Sequence, residues 1–292
     1  MFATLLGPLP RPPVPDGASP EEILDACLDL QAEHGLEPLT DGGWSIHPAA
    51  PAASWRATAD RTDHLVKAVL VGPWTAGREA AEVRRDVEEL ADAGCRWVEV
   101  HEPDAVSVGV SPEARARFAD AHRVLTRELG DALHLTLAIT GGNADAAGIE
   151  TILAGAYASL AVDLIDGPDN WRLAVAVPEQ RGVICGALSA HADSDDGPEL
   201  LVWAARYAAG SQGRGMARVG LATSGSLAGL PWDDAATKVR RLGEAARIAG
   251  APPDQRDAAL DPRAVDIRSA ALGRVEPRPT RQRGGPGGPA TR

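Results

Sequence analysis

Aromatic residues make up only 4% of this 292-residue chain, cysteine is limited to three, and long apolar runs are missing. The last absence excludes a helical membrane span, which needs about 20 consecutive apolar residues. Cys27, Cys95 and Cys185 lie far apart and are odd in number, so a disulfide framework is not expected. Met1–Pro15 has a short apolar stretch without a basic flank before it, which is not the pattern of a secretory signal. A cytoplasmic protein of enzyme size is the expectation. No GxGxxG follows the first strand-like run, and no Walker A, HExxH or CxxC motif is present. The formal net charge of −12 disfavours nucleic acid and anionic membrane as partners.

What is present is a core-forming 44% of apolar residues arranged in alternating patterns. Strand-like runs recur at Phe2–Leu6, Leu65–Val71, Trp97–His101, Leu133–Ile139, Leu160–Ile165, Gly182–Leu188 and Ala217–Thr223, with a weaker one at Leu36–Leu39. Between them lie helix patterns with caps. Ser19 followed by Pro20-Glu21-Glu22 opens one that stops at Gly35, and Ser111-Pro112-Glu113 opens another that stops at Gly130. Further helices are read at Glu79–Ala93, Asp195–Ala209 and Trp232–Ala249, while residues 44–64 read as an irregular insertion. Strands alternating with helices imply a parallel sheet, and eight candidate strands predict an α/β fold, a single (β/α)8 TIM barrel over residues 1–250. Residues 251–273 read as an extension. Residues 274–292 carry five arginines against one acid in a Gly/Pro-rich context, and are expected to form a disordered basic tail.

In such a barrel, reactive groups gather where strands end. The segment Val98-Glu99-Val100-His101-Glu102-Pro103 places an imidazole, a carboxylate and a ladder-breaking proline at one strand end. His101 and Glu102 are therefore the candidate acid/base residues, although alternation sends neighbouring side chains to opposite faces. Arg11, Asp41, Trp44, Trp74, Asp166 and Ser224 lie in the loops that follow other strands and are the candidate substrate-binding residues. Arg11 suits an anion clamp, and the two tryptophans suit either stacking or closure of the barrel top. His134 and Thr136 point to one face of their strand; a lone imidazole there reads as a metal ligand or as a hydrogen-bonded core residue. Cys27, Cys95 and Cys185 read as small core residues.

Several ordered segments resemble one family. They are Leu6-Gly7-Pro8-Leu9-Pro10-Arg11, Gly35-Leu36-Glu37-Pro38-Leu39-Thr40-Asp41-Gly42, Val66-Lys67-Ala68 through Gly72-Pro73-Trp74-Thr75, Ala91–Pro103, and Thr223-Ser224-Gly225-Ser226-Leu227 followed by Ala235–Leu242. Together they resemble the C-terminal catalytic barrel of cobalamin-independent methionine synthase, within the superfamily that includes uroporphyrinogen decarboxylase. The resemblance implies a barrel that transfers a methyl group from a folate to a zinc-bound thiol. It also implies zinc ligands at the positions of His134, Thr136, Asp166 and Ser224, where the family carries His, Cys, Glu and Cys. Both thiolates are replaced by hydroxyls, which are poor zinc ligands. His101 stands where the family has the Asp that holds the amino group of homocysteine, and Gly43 where it has a second acid.

Three expectations follow. The first is a zinc-free enzyme acting on a small organic metabolite, with no cofactor. The second is a zinc-dependent methyltransferase acting on a thiol, alone or with a partner subunit. The third is a non-catalytic binding or regulatory barrel.

Overall fold

The computed structural model describes residues 1–46, 49–129, 132–194 and 196–261. Gly130, Asp195 and the basic segment 274–292 lie outside them. In chain order the elements are β1 (Phe2–Thr4), α1 (Pro20–Glu33), α2 (Pro51–Ala59), β2 (Ala68–Val71), α3 (Pro73–Ala76), α4 (Ala80–Asp92), β3 (Trp97–His101) and α5 (Pro112–Thr126). They continue with β4 (His134–Ile139), α6 (Ile149–Ile152), β5 (Ser159–Asp163), α7 (Trp171–Ala176), β6 (Gly182–Leu188), α8 (Pro198–Gly210), β7 (Val219–Thr223), α9 (Trp232–Gly250) and α10 (Pro253–Ala258).

Among the described residues, seven strands form one parallel sheet in the order β1-β7-β6-β5-β4-β3-β2. The expected eighth strand at Leu36–Leu39 does not form. It survives only as two single bridges, Ala3 with Glu37 and Leu39 with Val66. Glu37 N–H donates to Ala3 O, Leu39 N–H to Leu65 O, and Lys67 N–H to Leu39 O, at 2.8–2.9 Å. Pro38 has no N–H to give to a ladder, and α1 ends at Glu33, so little chain remains to build a strand. The curled sheet is therefore seven-stranded, with β1 and β2 as its edges. Residues 44–64 also differ from expectation: they contain α2, opened by Pro51 at its first turn.

Alternation sorts the strand side chains into two apolar clusters. The larger packs between the sheet and the helices and includes Val98, Val100, Leu135, Leu137, Leu160 and Val162. The smaller lies on the inner face and comprises Leu6, Ala138, Ala161, Ile184 and Ala222, with Phe2 and Trp97 against it. Trp97, Glu99 and His101 share the inner face of β3, since they alternate with Val98 and Val100. At the other end of the chain's first unit, α1 begins with a full capping box, Ser19 with Glu22. Its buried Gln31 donates to Thr40 O and accepts from Thr40 N–H, which fixes the backbone leading into Asp41.

Candidate functional site

The ends of β3, β4 and β5 bring the first group of polar side chains together. His101 is the last residue of β3, and its Nε2 lies 2.8 Å from Thr140 Oγ1 beyond the end of β4. Burial holds the His101 imidazole below its ordinary value of 6.5; the charges of Glu99 and Glu102 oppose that shift, and Lys67 reinforces it. The ring is therefore neutral at pH 7. Asp163 closes β5, where its carboxylate accepts from the backbone N–H of Ile165, Asp166 and Gly141. Burial still raises the Asp163 carboxyl above its ordinary range against those donors.

Below His101 on the same face, Lys67 and Glu99 form an ion pair with neither side chain exposed. Lys67 Nζ donates to Glu99 Oε2 at 2.5 Å and to Leu5 O at 2.8 Å. Glu99 Oε1 has no hydrogen-bond partner among the described residues. Beside them, a cavity of about 320 Å3 runs along the free edge of β2, lined by Asp41, Lys67, Val69, Val71, Arg78 and Asp86. It follows from the missing eighth strand, because Val69 and Val71 have no ladder neighbour on that side. Their side chains are 41% and 52% exposed.

Glu102 points away from His101, as strand alternation requires. It is fully buried and accepts from Trp74 N–H at 2.9 Å and Thr75 N–H at 2.7 Å, so it caps the start of α3. Its Oε1 lies 3.3 Å from His122 Nε2, and His122 Nδ1 lies 2.6 Å from Tyr157 OH. Burial alone would raise the Glu102 carboxyl, but His122 and the two N–H donors outweigh it and hold it below the ordinary 4.5. Gly72 makes this possible, since a Cβ there would sit 2.3 Å from the carboxylate. Trp74, placed by Glu102, turns outward. Its Nε1 donates to Asp104 O and Ser107 Oγ, and its ring meets Phe118 and Arg117 of α5.

Arg11, Asp41 and Trp44 form a second group. The Arg11 guanidinium lies 6.0 Å from the Trp44 ring centroid, and Trp44 Nε1 donates to Leu9 O. Asp41 accepts from Gly43 N–H, while burial raises its carboxyl. Gly43 has φ +82°, and a Cβ there would meet Pro8 at 2.5 Å, so an acid at this position would be strained and crowded. A third group lies across the sheet. Asp166 pairs with His191 at 2.8 Å on the surface, which raises the imidazole. Ser224 is buried and accepts from Ala190 N–H.

His134 and Thr136 are at the other end of the sheet. His134 is the first residue of β4; its ring lies 4.0 Å from Trp97, and its Nε2 lies 2.9 Å from Ser159 Oγ. Thr136 Oγ1 takes the Trp97 Nε1–H and lies 2.7 Å from the same Ser159 hydroxyl. Burial pushes the His134 imidazole down to about 4. Asp166 and Ser224 follow strand ends, whereas His134 opens β4 and Thr136 lies within it, so the four side chains sit at different levels along the strands.

The residues therefore do not fit the zinc that the resemblance implies. Among the described residues, no group of three or more His, Cys, Asp or Glu side chains is placed to hold a metal ion. All three cysteines are buried. Cys27 sits in α1, Cys95 before β3 and Cys185 on the outer face of β6. Burial pushes the Cys27 and Cys185 thiols to about 12.

Lys67, Glu99, His122 and Asp163 did not stand out as site residues in the sequence. A glutamate inside an otherwise apolar strand, two residues before His101, was the available signal for Glu99. His122 had none, because its helix pattern is ordinary.

No family profile matches the chain. It is 29% identical over 285 residues to the 5-methyltetrahydropteroyltriglutamate–homocysteine methyltransferase of Rhodopseudomonas palustris (strain TIE-1), a match that covers 84% of this chain. The chain spans about a third of that relative, 34% of its length. Among solved structures, a B12-independent methionine synthase from Shewanella sp. W3-18-1, in complex with selenomethionine, superposes with a TM-score of 0.70 at 13% identity. The overlap covers 88% of this chain and 99% of that one. A Listeria monocytogenes protein of the vitamin-B12-independent methionine synthase type gives 0.67 at 12% identity, over 86% of this chain and 100% of that one. In sequence and in fold, the chain is thus similar to the cobalamin-independent methionine synthases.

Proposed function

We propose that this chain is an enzyme of the methionine-synthase-like barrel type that transfers protons on a small organic metabolite, with His101 as the base and without thiolate-held zinc. One observation carries the reading: a neutral imidazole at the end of a sheet strand, oriented by Thr140. Asp163 lies two strands away, roughly 10 Å in strand spacing, and bounds the space on the far side of β4. That gap suits a small molecule lying over Ala138. Arg11 is the candidate clamp for an anionic group of the substrate, with Asp41 and Trp44 beside it.

The test has two arms. The first is metal analysis of the purified chain; one zinc retained per chain after dialysis against a chelator overturns the zinc-free reading. The second is a thermal-shift screen of small metabolites followed by turnover assays. His101→Ala is expected to abolish turnover of any substrate found, while retaining the ligand-induced shift. Unchanged turnover removes His101 from the chemistry.

The activity of the Rhodopseudomonas relative favours a second reading, methyl transfer to a thiol. It is supported by zinc retention together with turnover of a methyl-folate and a thiol.

A further inference from the structure

In a chain with seven Trp, two Tyr and two Phe, three of these side chains gather on one surface. Trp203 and Tyr207, one turn apart on α8, stack at 5.3 Å with 12° between their planes. Trp171 of α7 meets both edge-on, at 5.8 Å and 5.1 Å. Trp203 is 37% and Tyr207 49% exposed, so the stack is a surface feature. It separates two hollows. One, of about 770 Å3, lies between α8 and α10, with Glu199, Asp257 and Asp261 on its walls beside Arg206; Asp257 pairs with Arg256 at 3.2 Å, so among the described residues the acids and guanidinium groups are already interleaved there. The other, of about 410 Å3, lies beside the loop after β5 and is lined by Ile165, Pro168, Asp169 and Trp171. An aromatic surface bordered by carboxylates favours a planar cation, which can lie on a ring face and pair at its edge.

The described chain ends in this same groove. Asp261 N–H donates to Glu199 Oε1 at 3.1 Å, and Leu260 lines the hollow. Beyond it, residues 274–292 carry Arg274, Arg278, Arg281, Arg283 and Arg292 against one acid, Glu276, without an aromatic of their own. The span from Asp261 to Arg274 reaches at most roughly 45 Å when fully extended, so the arginines are tethered within range of the stack. A short tether raises a weak contact to an effective concentration on the order of mM.

We propose that residues 274–292 dock in cis on the Trp203–Tyr207 surface, with arginine guanidinium groups over the rings and against the carboxylates of the groove. The inference does not depend on the proposed chemistry at His101.

The test uses the full chain with the photo-crosslinker benzoylphenylalanine in place of Tyr207, an exposed position. Irradiation followed by peptide mapping is expected to link position 207 to residues 274–292 at the mass of a single chain. The link should be lost when Arg274, Arg278, Arg281 and Arg283 are all replaced by Gln, and lost in molar salt. Links at the mass of two chains would assign the surface to a second copy and overturn the proposal. So would the absence of any link to residues 274–292, or a link that survives the arginine replacements.

Discussion

Lys67 and Glu99 meet at 2.5 Å with no solvent reaching either side chain, on the inner face of the curled sheet and directly beneath His101. The pair ties β3 to the residue just before β2, at an edge of the sheet. Its contribution is asymmetric. Two charges held in low dielectric gain little over a well-packed apolar pair, but removing one strands the other. Lys67→Met or Glu99→Gln alone is therefore expected to cost about 3–5 kcal/mol, while Lys67→Met combined with Glu99→Leu recovers most of that loss. Urea denaturation of the three variants checks it. Equal losses in the single and double variants would show that packing, not charge pairing, sets the cost.

Glu102 is expected to stabilise the fold through Trp74 and Thr75. Its carboxylate satisfies two backbone donors at the start of α3, and hydrogen bonds to charged groups are the stronger kind. Glu102→Ala should cost about 2–4 kcal/mol. Gly72→Ala should act in the same direction by forcing the carboxylate away. The folded-state pKa of Glu102 is lowered, so its contribution is complete above the ordinary 4.5 and is lost as pH falls through the folded value. The stability gap between wild type and Glu102→Gln should therefore narrow below pH 4.5. A gap that is constant between pH 6 and 3 would contradict this account.

The order of strands and helices was legible because each strand is a short apolar run and each long helix has a cap or a glycine stop. Trp97–His101 and Gly182–Leu188 are found at the bounds the sequence suggests. Leu36–Leu39 misled because it is a short apolar-flanked run of strand length, while Pro38 withholds a ladder donor. The helix at Pro51–Ala59 was hidden by small residues that carry little periodicity. Site residues were harder to read. Alternation correctly separates His101 from Glu102, but nothing local reveals that Glu102 faces His122 across the outer core. His134 drew attention as a ligand position because the resemblance places a zinc ligand there, although it opens its strand and reactive groups gather where strands end. Its partners, Trp97 and Ser159, belong to other strands, so its role as a floor residue appears only in three dimensions.

His134 supplies a pH dependence of its own. Its imidazole is held neutral by burial, with a folded pKa of about 4 against an ordinary 6.5. The unfolded chain takes up a proton first as the solution is acidified, so His134 favours folding fully above pH 6.5 and loses that contribution as pH falls towards about 4. His134→Gln keeps a hydrogen-bond partner for Ser159 without titrating. Wild type is expected to lose stability more steeply than this variant between pH 6.5 and 4, as read from urea midpoints. Parallel curves would place the His134 pKa at its ordinary value.

The cysteines provide the sharpest check on the absence of a thiolate site. Cys27 and Cys185 have their thiols pushed to about 12 by burial, and Cys95 is raised as well, again by burial. At neutral pH none supplies the thiolate that reacts with alkylating agents. A disulfide-exchange reagent such as DTNB is expected to modify essentially no thiol in the native chain at pH 7.5, and all three after unfolding in guanidinium. A zinc-binding site that used any of them would invert this pattern, with one thiol reactive in the native chain after chelation and protected again when zinc is restored. Because Cys27 lies against the backbone of the Asp41 loop, with its side chain close to Gly42, slow native labelling at Cys27 alone would instead report opening of that loop. The three outcomes are distinguished by which cysteine is labelled and by whether zinc changes the rate.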